Sequence, residues 1–284
     1  MAVRRLGRAD GERLRRLVDA DPYINVIGAA RLGAAEHTGD LGGEVFGIDA
    51  VDSNGAIDRA AGLRAAWWSG ATVLPVGGDI DLWADLVTYI GQRERGCSSI
   101  MGRADIIATL WPALAASWGS ARLIRAVQPL LVTDRRPAVS LDPDVRPALV
   151  SELECYLPAA EAMFAEELGL PPLSGSARRA YRQRVTELIS ARRVFVRLDR
   201  SGGVAFKAEI GVLSHATSQI QGVWVRPDLR GRGLGTAAMA TVIDYALRLT
   251  PTVSLYVNDF NHPARRVYER LGMRQVATVS TVMF

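Results

Sequence analysis

Lysine is almost absent from this chain. Of 34 basic residues among 284, only Lys207 is a lysine, and the other 33 are arginine. The net charge of +4 thus reflects arginine usage of the kind a GC-rich genome imposes. No long basic run marks a nucleic-acid face, so nucleic acid is not an expected partner. Cysteine is scarce as well. Cys97 and Cys155 form no CxxC pair, which argues against a disulfide scaffold and predicts two reduced thiols. Histidine is limited to His37, His215 and His262, scattered among unmatched ligands, so no metal site is expected. Long apolar runs are missing too. The longest uncharged stretch, Ile106 to Ala121, is too short to span a bilayer and contains Pro112. The arginine-rich start, Met1 to Arg8, is followed by no apolar segment of the signal-peptide kind. These absences predict a soluble, cytoplasmic protein without membrane contact.

What is present is an ordinary globular composition, 49% apolar and 23% charged. The length suits two domains and can bury a core without metal or disulfide. Residues 135–147, with three prolines and no apolar period, read as a linker, placing the boundary at 1–141 and 142–284.

The second half reads clearly. Helices are predicted over Pro158–Leu168, stopped by Gly169 with Pro171 and Pro172 behind it, and over Ser176–Arg192. Strands follow at Val194–Leu198, Val204–Leu213 and Gln219–Val225, the first two joined by a glycine turn at 199–203. After a glycine-rich loop comes a helix with Leu234, Ala238, Val242, Tyr245 and Leu249 on one stripe. A strand over Thr252–Val257, a helix over Pro263–Leu271 and a strand over Gln275–Phe284 complete the order, with a further strand expected before the first helix. The first half repeats it. Strands fit Val3–Leu6, Glu44–Ile48, Leu63–Trp68, Thr72–Val76, Cys97–Met101 and Arg122–Val132. Helices fit Ala9–Ala20, Ile24–Ala35, Asp81–Gln92 and Ala104–Trp118. One topology is expected to be used twice, without a sequence repeat.

The loop Arg230-Gly231-Arg232-Gly233-Leu234-Gly235-Thr236 joins a strand to a helix. Its glycines let successive N–H groups point into one concavity. The helix N-terminus and two arginines add positive charge, which suits a pyrophosphate. A Rossmann fingerprint would need glycine at 236, and a P-loop would need Gly-Lys-Ser/Thr; neither is present.

The strand ending at Val225 and the Arg-x-x-Gly-x-Gly loop resemble the acyl-CoA motif of the GNAT superfamily of N-acetyltransferases. Some 25 residues on, Asn261-x-x-Ala264-x-x-x-Tyr268-x-x-x-Gly272-Met273 resembles that superfamily's second cofactor motif. The resemblance covers about residues 145–284. The whole chain is similar to GNAT proteins with an N-terminal domain of unknown function, and the tandem layout is similar to that of mycothiol synthases. It implies an α/β (α+β) fold of two GNAT-like domains, each a mixed, mostly antiparallel sheet flanked by helices.

The resemblance also implies acetyl-CoA as cosubstrate and a primary amine acceptor on a small molecule, peptide or protein. The amides of Arg230, Gly231, Arg232, Gly233, Leu234, Gly235 and Thr236 would hold the pyrophosphate. Val223, Trp224 and Val225 would pair with the pantetheine arm, the Val225 amide polarising the thioester. Asn261 would bond the arm and Ala264 would lie against it. Tyr268 would protonate the leaving thiolate. The carboxylate many such enzymes carry on the strand before the loop falls near Gln219, which cannot take a proton. Glu209 is then the nearest candidate base, the alternatives being a water chain for the proton and a strand-surface ion pair for Glu209. A CoA-binding regulator without turnover is the rival function. In the first half, Val76-Gly-Gly-Asp-Ile80 occupies the matching junction without arginines. There Asp79 and Asp81 would repel a phosphate and suit helix capping. Trp67, Trp68, Trp83, Trp111 and Trp118 are expected to fill that domain's core.

Overall fold

The computed structural model describes residues 3–284 except 52, 53, 55, 59, 60 and 170–173, so Pro171 and Pro172 lie outside the described residues. The first half runs β1 (Val3–Leu6), α1 (Gly11–Asp19), α2 (Val26–Thr38), β2 (Val45–Asp49), β3 (Leu63–Trp68), β4 (Thr72–Gly77), α3 (Trp83–Gly91), β5 (Ser99–Arg103), α4 (Ala104–Trp118) and β6 (Leu123–Thr133). The second runs β7 (Arg146–Pro147), α5 (Leu153–Leu168), α6 (Gly175–Ser190), β8 (Val194–Leu198), β9 (Val204–Leu213), β10 (Thr217–Val225), α7 (Leu234–Ala246), β11 (Thr252–Tyr256), α8 (His262–Arg270) and β12 (Arg274–Met283). Both halves therefore spell βααβββαβαβ.

Two details depart from the sequence reading. Helix α5 starts at Leu153, with Pro158 inside it rather than at its start. Leu153, Tyr156, Leu157 and Ala160 all pack into one buried cluster with Val185 and Leu188 of α6. That shared burial outweighs the hydrogen bond a proline cannot make. The strand before α5 is only the two-residue β7, paired with β8.

The strands form one twelve-stranded sheet, ordered β1-β2-β3-β4-β5-β12-β6-β11-β10-β9-β8-β7. Strand β6 lies between β11 and β12, and β12 lies between β5 and β6, all antiparallel. Each half thus lends its last strand to the other. The chain can be divided at residue 141, but the sheet is continuous across that point. The exchange carries Phe284 into the first half, where its ring lies 5.5 Å from Trp111 and 6.2 Å from Trp118. Trp67, Trp68 and Trp83 are fully buried in the first half, with Trp111 and Trp118 packed against its core.

Side-chain alternation separates the two faces of the sheet. Leu255 of β11 joins the core under α7 and α8. Its neighbour Tyr256 turns to the opposite face. There it packs with Tyr23 and Ile24 of the α1–α2 turn and Ile27 of α2 against Met101, Leu130 and Val279 of the central strands.

Candidate active site

The site begins where two parallel strands part. Pairing of β10 with β11 covers only Thr217–Gln219 against Thr252–Ser254. Beyond Gln219, β10 stays with β9 while β11 follows β6, and a wedge opens between them. The Arg226 N–H donates to the Ala205 carbonyl at 3.0 Å. In an alternating antiparallel ladder this leaves the Val225 N–H facing away from β9, into the wedge. The Val225 carbonyl accepts from Arg230 Nε at 2.8 Å.

The glycine loop closes the wide end. Gly231 and Gly233 adopt φ of 75° and 81°, in the left-handed region, and Gly233 is the N-cap of α7. The first helical-turn bonds run from Thr236 and Ala237 to the Gly233 carbonyl. Among the described residues, the amides of Gly231, Arg232, Gly233, Leu234 and Gly235 donate to no protein acceptor. Unpaired amides at the start of a 13-residue helix form a nest for an anion. An added Cβ at Gly235 would come 3.3 Å from Val225 Cγ2, so this glycine lets the helix approach the strand. The cradle thus has the donors and the space that a pyrophosphate requires.

The opposite wall is β11 and α8. Asn261 caps α8 by accepting the Ala264 N–H at 3.2 Å, which commits its oxygen and leaves its NH2 group as the donor. Ahead of it, Asn258 Oδ1 accepts from Gln128 Nε2 at 3.2 Å, and Gln128 Oε1 accepts from Thr281 at 2.7 Å. The exchanged strands are therefore stitched to the turn that carries Asn261. Tyr268 is 6% exposed, and its hydroxyl makes no hydrogen bond among the described residues. Burial, and secondarily the Glu167 carboxylate, hold that hydroxyl well above the usual tyrosine pKa.

A buried ion pair lies beneath β10. A bulge between Gln221 and Trp224 contains Gly222 at φ 61°. Lys207, the single lysine, is fully buried there, its Nζ donating to the Gly222 carbonyl at 2.9 Å and to Tyr156 Oη at 3.3 Å. Glu209 is 2% exposed. It accepts from Tyr156 Oη at 2.5 Å, Gln221 Nε2 at 3.2 Å and Arg184 at 3.3 Å, with Lys207 Nζ at 3.7 Å. Burial alone would raise its pKa, but Lys207, Tyr156, Arg184 and Gln221 together bring it below the ordinary value. The ion pair weighed for Glu209 thus lies in the core rather than on a strand surface. Gln219 is buried at the vertex of the wedge, paired on both sides.

Helix α5 ends over this region. Glu166 accepts from Trp224 Nε1 at 3.1 Å and from Arg230 at 2.6 Å, tying α5 to both β10 and the loop. Arg125 of β6 donates to the Glu167 carbonyl at 2.7 Å.

Residues 174–273 match the family model described as Acetyltransferase (GNAT) family. The chain carries a GNAT domain. Its family's general activity is acetyl transfer, an acyltransferase reaction. Residues 54–156 match a domain of unknown function, DUF4081. Solved structures similar in fold include a GNAT-family acetyltransferase from Colwellia psychrerythraea, 13% identical over all of both chains with a TM-score of 0.57. A GCN5-related N-acetyltransferase from Sphaerobacter thermophilus is 17% identical over 99% of this chain and 94% of its own, at TM-score 0.57. A Drosophila protein is 14% identical over 99% of this chain and 98% of its own, at TM-score 0.67. Each match spans both halves, so the fold of the whole chain is shared, not only that of the GNAT domain. No curated protein matches the chain.

The first half repeats the geometry but not the cradle. Strands β4 and β5 pair at Thr72–Ser99 and Val73–Ile100. Beyond those pairs the two strands stay in contact, since Pro75 of β4 packs directly on Gly102 of β5. A Cβ on Gly102 would lie 2.9 Å from Pro75 Cγ, and one on Gly77 would lie 2.4 Å from Leu17 Cδ1. Asp79 takes the cap position before Ile80 but makes no side-chain capping bond, pairing instead with Arg64 at 3.7 Å. The capping role expected of Asp79 is not observed, because its carboxylate turns outward to that arginine.

No described helix is long and apolar enough to cross a membrane.

Proposed function

We propose that the GNAT domain is an acetyl-CoA-dependent N-acetyltransferase that acetylates a primary amine on a small molecule, peptide or protein. The observation that carries this reading is the wedge between β10 and β11, with open amides at 231–235 on one side and Tyr268 on the other. Acetyl-CoA would supply the activated acyl group as a thioester. The amides of residues 231–235 and the side chains of Arg230 and Arg232 would hold its pyrophosphate. Val223 and Val225 would meet its arm as an added strand. The Val225 N–H would stabilise negative charge developing on the acyl oxygen. Tyr268, kept protonated at neutral pH by its raised pKa, would give its proton to the departing sulfur, whose thiol titrates near 8.5. Asn261 would donate through its amide NH2. One cofactor is expected per chain, because the matching junction at 76–80 lacks the arginines and spaced glycines of the 230–236 loop and brings Asp79 and Asp81 to the anion position.

The test is acetyl-CoA turnover with a panel of primary amines, following free thiol and the mass of the acetylated product. Amine-dependent thiol release supports the reading. Tight acetyl-CoA binding with no release for any amine would instead favour the regulator.

A further inference from the structure

The reaction proposed above needs a group to take a proton from the acceptor ammonium, and neither Gln219 nor Glu209 suits that task. Gln219 has no basic atom. Glu209 is closed in by Tyr156, Gln221, Arg184 and Lys207, which hold it ionised. A carboxylate with several donors is a poor proton acceptor, and its burial leaves no path for an ammonium.

Glu167 differs on each count. It sits in the last turn of α5, and three anchors fix that turn across the wedge. Glu166 is bonded to Trp224 of β10 and to Arg230 of the loop. The Glu167 carbonyl is bonded to Arg125 of β6. The side chain is exposed, yet its charge is felt by groups on three other elements, Lys207 of β9, Tyr256 of β11 and Tyr268 of α8. The turn that carries it bridges β10 and the loop on one side and β6 on the other, over the wedge. The charged and titratable groups facing it are Arg125 from β6, Lys207 from β9, the two tyrosines, and Glu166 from its own helix.

We propose that Glu167 is the proton acceptor for the amine substrate, receiving the acceptor ammonium in the cleft beneath α5. Two protons leave nitrogen in the transfer. The first passes from the ammonium to the Glu167 carboxylate and then to water, freeing the lone pair that forms the new C–N bond. The C–S bond breaks with its electron pair going to sulfur, and sulfur takes the Tyr268 hydroxyl proton. The second nitrogen proton restores Tyr268 by way of solvent. Partial desolvation under the end of α5 raises the Glu167 carboxyl above the usual carboxylate range against the opposing pull of Lys207 and Arg125, the direction a general base needs. Acid and base thus sit on opposite sides of one cleft, and each carries the proton state its role requires.

This assignment rests on the acetyltransferase reading, and one experiment separates the two. Wild type and Glu167→Gln are assayed for thiol release from acetyl-CoA with spermidine, a seryl dipeptide amide and Nα-acetyl-lysine amide across pH 5–9. Acetyl-CoA affinity and thermal unfolding serve as controls. Glu167→Gln should lower kcat/KM by roughly 10²-fold or more, shift the acidic limb of the pH profile up to the pKa of the substrate amine itself, and leave cofactor affinity and melting unchanged. A Glu167→Asp variant should keep the limb at a reduced rate. Turnover by Glu167→Gln with the wild-type acidic limb would overturn this assignment alone. A wild type that releases no thiol with any of the amines would overturn the acetyltransferase reading, and this assignment with it.

Discussion

Gly233 offers a way to separate backbone geometry from charge in the anion cradle. It adopts φ 81°, and an added Cβ would meet nothing within 4 Å. Alanine there costs only the left-handed backbone, about 1–2 kcal/mol. If that strain falls wholly on the binding-competent loop, acetyl-CoA affinity drops by roughly 5–30-fold. Asparagine tolerates the left-handed region better and should cost less. Aspartate has the same shape but brings a charge. At about 5 Å from a phosphate, with an effective dielectric of about 20, the repulsion is about 3 kcal/mol per charge pair. Gly233→Asp should therefore bind acetyl-CoA at least about 100-fold more weakly than Gly233→Asn. The gap should narrow as salt rises. Titration calorimetry at two ionic strengths reads all three variants. Equal affinities for the aspartate and asparagine variants would refute the pyrophosphate assignment to this loop.

Three further outcomes follow from the same geometry. Tyr268→Phe should lower kcat by roughly 10²-fold with little change in acetyl-CoA affinity, since a general acid acts only in the transition state; retained kcat where chemistry limits would reduce this tyrosine to packing. Residues 142–284 expressed alone should fail to fold, because β11 and β12 lose β6 from between them; a dispersed, native-like amide spectrum of that fragment would contradict the exchanged-strand account. Lys207→Met leaves buried Glu209 without its ammonium partner, at a cost of about 3 kcal/mol, or a fall of roughly 6–12 °C in Tm. The pH dependence has a definite sign. Glu209 is held below its ordinary value, so its contribution is present above the unfolded carboxylate pKa and is lost as pH falls through the depressed one. Wild type should lose Tm more steeply than Glu209→Gln below about pH 4, and parallel curves would refute the sign.

Much of the GNAT domain was legible because its chemistry is local. The loop at 230–236 and the Asn261 to Tyr268 helix carry their roles in short spacings, and the glycines and the cap sit where those spacings require. The strand exchange was not legible. Both β6 and β12 read correctly as strands, but apolar alternation states which face is buried, not which neighbour provides the ladder. The Pro158 error came from a local rule, that proline belongs in a first turn, losing to the packing of Leu153 and Tyr156. Strand alternation puts Glu209 on one face with Lys207, but alternation cannot tell a solvated face from one covered by Tyr156 and Arg184. Glu166 and Glu167 look like ordinary solvated charges at a helix end. Their significance arises only when α5 crosses β10, a contact between segments some sixty residues apart (Glu166 to Trp224 spans 58). The lone lysine was visible from composition alone, and its burial beneath the Gly222 bulge gives that rarity a structural reason.

The central claim is that one acetyl-CoA lies in the wedge of the second half. A crystal structure of the chain with bound CoA tests this most directly. The account predicts one CoA per chain, its pyrophosphate on the amides of residues 231–235 and its pantetheine arm between β10 and β11. Density for the cofactor between β4 and β5, or at any site away from residues 223–268, would contradict it.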